Sequence, residues 1–182
     1  MLSNETKNYI ETWSKDLNNV SGNSLEKVFT KFGHLYKIYG RLNNDASILL
    51  VKNGILKKKG GDKNSATENV IRFLTAGLIY NTFKNNNKSD IQALINILPR
   101  FRIKFTIEDQ VWEQGVDEQL LNDLKSGSKE ALVLSILQII YYVRCNMEHS
   151  RKHKVPNQIL LLRPLNNILK TLNDLLLIEL SK

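Results

Sequence analysis

Two side chains near the middle of the second half of the chain have types and a spacing that suit chemistry on a phosphate group. Arg144 and His149 are separated by four residues and follow a long apolar stretch. A guanidinium is permanently charged and binds phosphate through two parallel hydrogen bonds. An imidazole takes up or releases a proton near neutral pH. Together the two side chains could clamp a phosphate and move a proton.

Each of these side chains also has a purely structural interpretation. Arg144 precedes Glu148 by four residues, the spacing at which opposite charges pair along a helix. An imidazolium at position 149 would interact favourably with the negative end of a helix dipole. On a continuous helix, positions 144 and 149 differ by about 140° around the axis. Either the helix ends before His149, or a second chain completes the site.

The element that must position this motif is a helix from Lys129 to about Glu148. A Ser-Gly-Ser sequence at 126–128 predicts the break before it, and between 132 and 143 only Ser135 and Gln138 are polar. Because the apolar side chains of this helix lie on all of its faces, it must be enclosed either by its own bundle or between that bundle and a second chain. The second option predicts a dimer.

The rest of the chain shows mainly helical periodicity, so we predict a single domain over 1–182 with an all-α, up-and-down bundle. The segment from Asn43 to Asn64 is interpreted as a long connection with one helical turn at most. Phe101 to Ile107 could form a short edge strand. The predicted helices cover 4–20, a second helix opened by Ser24, 65–83, a helix capped by Ser89-Asp90 and ended by Pro99, an acidic helix begun by Thr106, and 156–180 with a bend at Pro164.

Charge favours a polyanionic partner. The formal net charge is +8 and the isoelectric point is near 9.5. Positive charge is concentrated in a few runs, whereas 106–124 contains neither Lys nor Arg. Taken singly, each run is also typical of a solvated loop or helix face. The basic runs are Lys57-Lys58-Lys59 with Lys63, then Arg100, Arg102 and Lys104, then Arg151-Lys152-His153-Lys154.

Several classes of protein are disfavoured by composition. Cys145 is the single cysteine, so a disulfide-stapled fold is excluded and a reducing, cytoplasmic compartment is expected. We expect no secretory signal at the N-terminus, and no apolar run is long enough to cross a bilayer. His34 and His153 lack partners at ligand spacing, so no metal or cofactor is predicted.

The segment Tyr141 to Ser150, set after an apolar helix and before a basic turn, resembles the Arg-x4-His motif of the HEPN superfamily. Catalytic members of that superfamily are metal-independent ribonucleases. The similarity runs from about Leu120 to the C-terminus, through the Ser-Gly break, the leucine-rich helix and the following helix, and Phe32 to Tyr39 is similar to an aromatic helix of many bacterial members. It implies an HEPN-like homodimer whose motif helices face each other and pool their Arg and His residues.

The resemblance also implies a reaction and its residues. An RNA 2′-hydroxyl would attack the neighbouring phosphate and leave a 2′,3′-cyclic phosphate and a free 5′-hydroxyl, with no metal. His149 would be the general acid and base, Arg144 the electrostatic clamp, and Asn146 would orient the phosphate or the histidine. The candidate RNA-backbone contacts are Lys57, Lys58, Lys59, Arg151, Lys152 and Lys154.

The biological role implied by this resemblance is a toxin or anti-phage effector that degrades cellular RNA. Two alternatives remain open. One is a non-catalytic HEPN module that binds RNA or a protein partner. The other is an interaction subunit that is neutralised by a cognate antitoxin or nucleotidyltransferase.

Overall fold

Helices make up the regular structure of this protein. The computed structural model describes residues 2–104, 111–149 and 158–182, and positions 148, 149, 158 and 159 by backbone only. No strand occurs in these ranges, so the all-α prediction is confirmed. The helices are α1 (Asn4–Asn18), α2 (Leu25–Lys52), α3 (Asp62–Ala66), α4 (Glu68–Leu74), α5 (Ala76–Asn86), α6 (Lys88–Ile97), α7 (Gln114–Lys125), α8 (Lys129–His149) and α9 (Gln158–Ser181), with a 3-10 turn at Leu98–Arg100.

The two longest helices, α2 and α9, form the centre of the bundle and pack against each other along their lengths. Asn166 Nδ2 donates to the Val28 carbonyl at 3.2 Å, and Asn173 Nδ2 donates to the Leu35 carbonyl at 2.9 Å. Both pairs advance by seven residues in the same direction, so α2 and α9 run parallel. These two buried amides set the register of an interface that is otherwise apolar.

Helix α2 is longer than predicted, and the connection expected from Asn43 was wrong over 43–52. Leu42, Ala46 and Leu50 continue the buried face of α2 and are at most 2% exposed. Ser47, which lies between them, is satisfied inside the fold, since its Oγ donates to the Asn43 carbonyl at 2.8 Å and accepts from Asn69 Nδ2 at 3.0 Å. Because that second partner lies on α4, the sequence of α2 alone does not indicate it.

The single helix predicted over 65–83 is divided into three pieces by Thr67 and Thr75. Thr75 has φ +69°, a conformation that β-branched residues rarely adopt, and its hydroxyl accepts from the Leu78 amide at 3.3 Å as the cap of α5. Helix α4 packs against α2, whereas α5 packs against α8 and α9. The chain therefore changes direction at Thr75 to reach a different neighbour.

Other boundaries were predicted more closely. Ser24 caps α2 through the Lys27 amide, and the 126–128 break precedes α8 as expected, with Gly127 at φ +75°. Helix α6 is preceded by Asn87 rather than by Ser89-Asp90. Helix α7 begins at Gln114, later than predicted, although the proposed cap at Thr106 lies outside the described residues. Helix α9 runs through Pro164 without interruption.

Helix α8 is enclosed by its own chain, mainly by α5 and α7. This is the first of the two options for an apolar helix, so its burial gives no reason to invoke a dimer. None of the described helices has the length and apolarity needed to cross a membrane. The buried residues of α8 are Val133, Ser135, Ile136, Leu137, Ile139, Ile140, Tyr142 and Val143.

Candidate functional site

The motif helix is continuous through His149, so a helix that ends before the histidine is excluded. The backbone positions 144 and 149 therefore lie about 140° apart around the axis of α8. The side chain at 149 lies outside the described residues. Of the two geometric options, the one that remains for a site using both residues is completion by a second chain.

Arg144 packs against the aromatic face of α2. Its guanidinium carbon lies 5.5 Å from the ring centroid of Tyr36, within the range of a cation–π interaction. Tyr36 in turn packs edge-on against buried Tyr39, with ring centroids 5.7 Å apart, and lies beside Phe32 at 6.2 Å. The arginine is thus positioned by helix α2, which is more than a hundred residues away in the sequence.

A cleft of about 590 Å³ opens between α1, α2 and the C-terminal half of α8. We call it the aromatic cleft, because Tyr9, Phe32 and Tyr36 line it. Three cations, Lys37, Arg41 and Arg144, also line it, and no described carboxylate does. The combination of flat apolar walls with positive charge is suited to a ligand that is both aromatic and anionic.

The three cations of the aromatic cleft are not equivalent. Arg41 pairs with Glu5 at 3.2 Å and lies 3.8 Å from Asp45, so its charge is largely balanced. Lys37 is exposed, and its ammonium lies 3.6 Å from the ring centroid of Trp13. A ring does not neutralise a cation, so Lys37 keeps its positive charge at the rim of the cleft.

A second cavity of about 200 Å³ shares four lining residues with the aromatic cleft: Tyr36, Gly40, Asn44 and Arg144. Lys59 and Asp62 line it as well, and Lys59 Nζ donates to Asn44 Oδ1. This places one of the predicted RNA-binding lysines beside Arg144. Lys57 and Lys58 are exposed and line neither cavity.

Two more lysines lie beside α8 at Tyr142, two residues before Arg144. Lys63 Nζ lies 5.2 Å and Lys104 Nζ 5.3 Å from the ring centroid of Tyr142. Lys104 also pairs with Glu113 at 2.9 Å. Lys63 and Lys104 are therefore brought to one buried tyrosine although they come from separate basic runs of the sequence. Lys63 keeps a position beside the C-terminal half of α8, whereas the charge of Lys104 is balanced by its carboxylate partner.

Asn146 is held by a contact that its sequence position does not suggest. Its Nδ2 donates to the Ile103 carbonyl at 2.7 Å, and the residue lines neither cavity. Asp117, 8% exposed, anchors the same segment by accepting from the Ile103 and Lys104 amides at 2.8 and 2.9 Å and from Trp112 Nε1 at 2.6 Å. The Asn146 amide thus ties α8 to 101–104, and its catalytic role stays a prediction.

Tyr141 and His34 are not suited to act as the base. Burial first, and then the nearby Cys145, raise the pKa of Tyr141 to about 12, so the phenol is protonated at neutral pH. Burial and Lys37 lower the pKa of His34, which packs on Trp13 with ring centroids 5.0 Å apart and lines neither cavity. Among the described residues, no group of three His, Cys, Asp or Glu could hold a metal ion.

Two glycines in the middle of α2 form part of the aromatic cleft. A Cβ at Gly33 or at Gly40 would meet no heavy atom of another part of the chain within 4 Å. Glycine costs about 0.5–1 kcal/mol relative to alanine inside a helix. Packing within the chain therefore does not explain why glycine occupies these two positions.

We expect Gly33→Ala and Gly40→Ala each to raise the free energy of unfolding by about 0.5–1 kcal/mol, because alanine restricts the unfolded chain and fits the open space. Urea denaturation followed by circular dichroism measures the change. Gly127→Ala is the contrasting variant, and its φ of +75° should make it destabilising. A loss of stability in both helical variants would contradict the open space seen at these positions.

The described structure therefore brings together Arg144, Lys59 and cations that the sequence did not single out, while it separates Asn146 from them. The predicted contacts Arg151, Lys152 and Lys154 lie outside the described residues. Lys37, Tyr9 and Tyr36 were missed, although the aromatic spacing of the second helix was a weak signal for the last. Comparison of the chain with protein-family models, with curated proteins and with solved structures finds no match.

Proposed function

We propose that this protein is an HEPN-type endoribonuclease that cleaves RNA without a metal, at a site formed by Arg144 of one copy and His149 of a second. The observation that carries the proposal is the position of Arg144 between two cavities, with Lys37 lining one and Lys59 the other. Phosphate is the natural ligand of such a set, because lysine and arginine bind it through charge-assisted hydrogen bonds. The histidine supplies the proton transfer.

The proposed reaction is transesterification within the RNA. The 2′-hydroxyl loses its proton to His149 and its oxygen attacks the adjacent phosphorus, and the bond to the 5′-oxygen of the next nucleotide breaks. A proton returned by an imidazolium leaves a 5′-hydroxyl. Arg144 stabilises the negative charge that accumulates on the phosphorane oxygens. The products are a 2′,3′-cyclic phosphate and a free 5′-hydroxyl.

The first test asks whether cleavage needs the histidine and no metal. The purified protein is incubated with single-stranded RNA in EDTA, and the product ends are identified. We expect cyclic phosphate ends from the unaltered protein and no cleavage by His149→Ala, which should still bind RNA because the lysines are intact. His153 offers a matched control, since His153→Ala removes an imidazole four residues further on. Equal cleavage by His149→Ala would refute the assignment.

A second test asks whether two chains form the site. Arg144→Ala and His149→Ala chains carrying different affinity tags are co-expressed, and mixed dimers are isolated through both tags. In a site with one residue from each copy, a mixed dimer keeps one intact site of its two, so we expect about half the activity of the unaltered dimer. If each copy supplied both residues, the mixed dimer would be inactive. A monomer in solution would contradict the proposal directly.

A non-catalytic RNA-binding protein is the second candidate. Two observations favour it: the amide of Asn146 is used to hold the 101–104 segment, and α8 is enclosed by its own chain rather than left for a partner. Binding of RNA in EDTA with no product, by a protein that is folded, would select this candidate. Restraint by an antitoxin or nucleotidyltransferase, and a cytoplasmic location, are further parts of the proposal.

A further inference from the structure

We infer that the aromatic cleft is a base-binding subsite, which takes one unpaired nucleobase of single-stranded RNA while Arg144 contacts an adjacent phosphate. The inference rests on the proposed function, since it assigns a substrate class to the same site. It adds a second contact point to the RNA, on α1 and α2, beside the arginine of the Arg-x4-His motif.

The size and the walls of the aromatic cleft are suited to a single nucleobase. Its volume of about 590 Å³ lies within the range of about 300–1,000 Å³ found for small-molecule pockets. Tyr9 is 36% exposed, so part of its ring is open to a stacking partner. Sequence-tolerant binding of single strands relies on such aromatic side chains beside a basic path. In a duplex the bases are stacked inside the helix and could not enter.

The floor of the aromatic cleft contains two glycines that leave space for a ligand. Gly33 and Gly40 lie two helical turns apart on α2, both line the cleft, and neither is required by a close contact within the chain. A side chain at either position would project into the space that a base would fill. An absent side chain that is not needed for packing is what a ligand lying against the helix backbone would require.

Charge identifies the occupant. The described lining contains no carboxylate. Arg41 is largely balanced by its two carboxylate partners, and Lys37 and Arg144 are the other cations of the lining, so an anionic partner is favoured over a neutral hydrophobic one. Arg144 belongs both to the aromatic cleft and to the smaller cavity with Lys59. A phosphate at Arg144 would therefore lie beside the base in the cleft and toward Lys59. A nucleotide meets both the flat walls and the charge.

The test fills the cleft. Gly33→Leu is compared with Gly77→Leu; Gly33 lines the aromatic cleft but not the smaller cavity, and Gly77, near the start of α5, also has open space and lies outside both. Binding of a labelled single-stranded oligonucleotide is measured by fluorescence anisotropy in EDTA, and thermal unfolding confirms that both variants are folded. We expect Gly33→Leu to bind about tenfold more weakly and Gly77→Leu to bind like the unaltered protein. Duplex RNA should bind equally well to the two leucine variants, because its stacked bases cannot enter the cleft.

A second variant guards against misfolding of the first. Tyr9→Ala should weaken single-strand binding, whereas Tyr9→Phe should restore it, because only the ring is needed for stacking. Unchanged binding and cleavage by folded Gly33→Leu would overturn the subsite and leave the proposed function standing. The subsite would also be overturned if polyphosphate competed as effectively as an oligonucleotide of equal charge. A protein that preferred an acidic peptide to the oligonucleotide would overturn it as well. An unaltered protein that neither binds nor cleaves RNA would overturn both.

Discussion

Arg144→Ala is expected to slow RNA cleavage by a factor of about 10² to 10³, the usual cost of losing one preorganised charge donor at a reacting phosphate. The guanidinium packs on Tyr36 and lines both cavities, so it is positioned before the substrate arrives. Single-turnover cleavage of a defined oligonucleotide measures the effect. The substitution should slow the chemical step and not only weaken binding. Most of the loss in cleavage rate should therefore remain when the protein concentration is high enough to saturate the RNA.

Two controls separate the role of Arg144 from a general loss of charge. Arg72→Ala removes an exposed guanidinium from α4, away from both cavities, and should keep full activity. Arg144→Lys keeps the charge but loses the bidentate geometry, and intermediate activity is expected. If Arg144→Ala and Arg72→Ala cleave equally, Arg144 is not the clamp, and the pairing with Glu148 that its spacing allows would be the better explanation.

Asp117→Ala is expected to lower the free energy of unfolding by about 3 kcal/mol, because hydrogen bonds to a buried charge are lost and their donors are left without partners. Its carboxylate accepts from the Ile103 and Lys104 amides and from Trp112 Nε1. The released 101–104 segment also holds Asn146 on the motif helix. Denaturant titration followed by tryptophan fluorescence measures the loss.

The matched control for Asp117 is Glu118→Ala, the adjacent carboxylate, which is exposed and bonds only to Gln114 among the contacts described. It should change stability by less than about 0.5 kcal/mol. Asn146→Ala removes one bond of the same assembly and should cost about 1 kcal/mol. A midpoint for Asp117→Ala close to that of Glu118→Ala would show that the segment is held by other contacts.

The fold class was predictable because it depends on local patterns. Apolar spacing near 3.6 residues and capping at Ser24 and at 126–128 are properties of neighbouring residues, and they led to correct positions for α1, α8 and the start of α2. The errors arose where a contact with a residue distant in the sequence decided the local structure. Ser47 is buried because Asn69 bonds to it, and Thr75 adopts a strained backbone because α4 and α5 pack against different helices.

The candidate site divides in the same way. By itself the sequence determined that an arginine and a histidine lie five positions apart at the end of a predicted helix in a basic chain, since residue type and spacing are local properties. Only the tertiary structure decided which cations lie beside Arg144, that Asn146 bonds to the Ile103 carbonyl, and that two glycines of α2 open a cleft next to the motif. The physical reason is that such contacts join residues 40 to 110 positions apart, and the packing of whole helices, rather than any local pattern, brings them together.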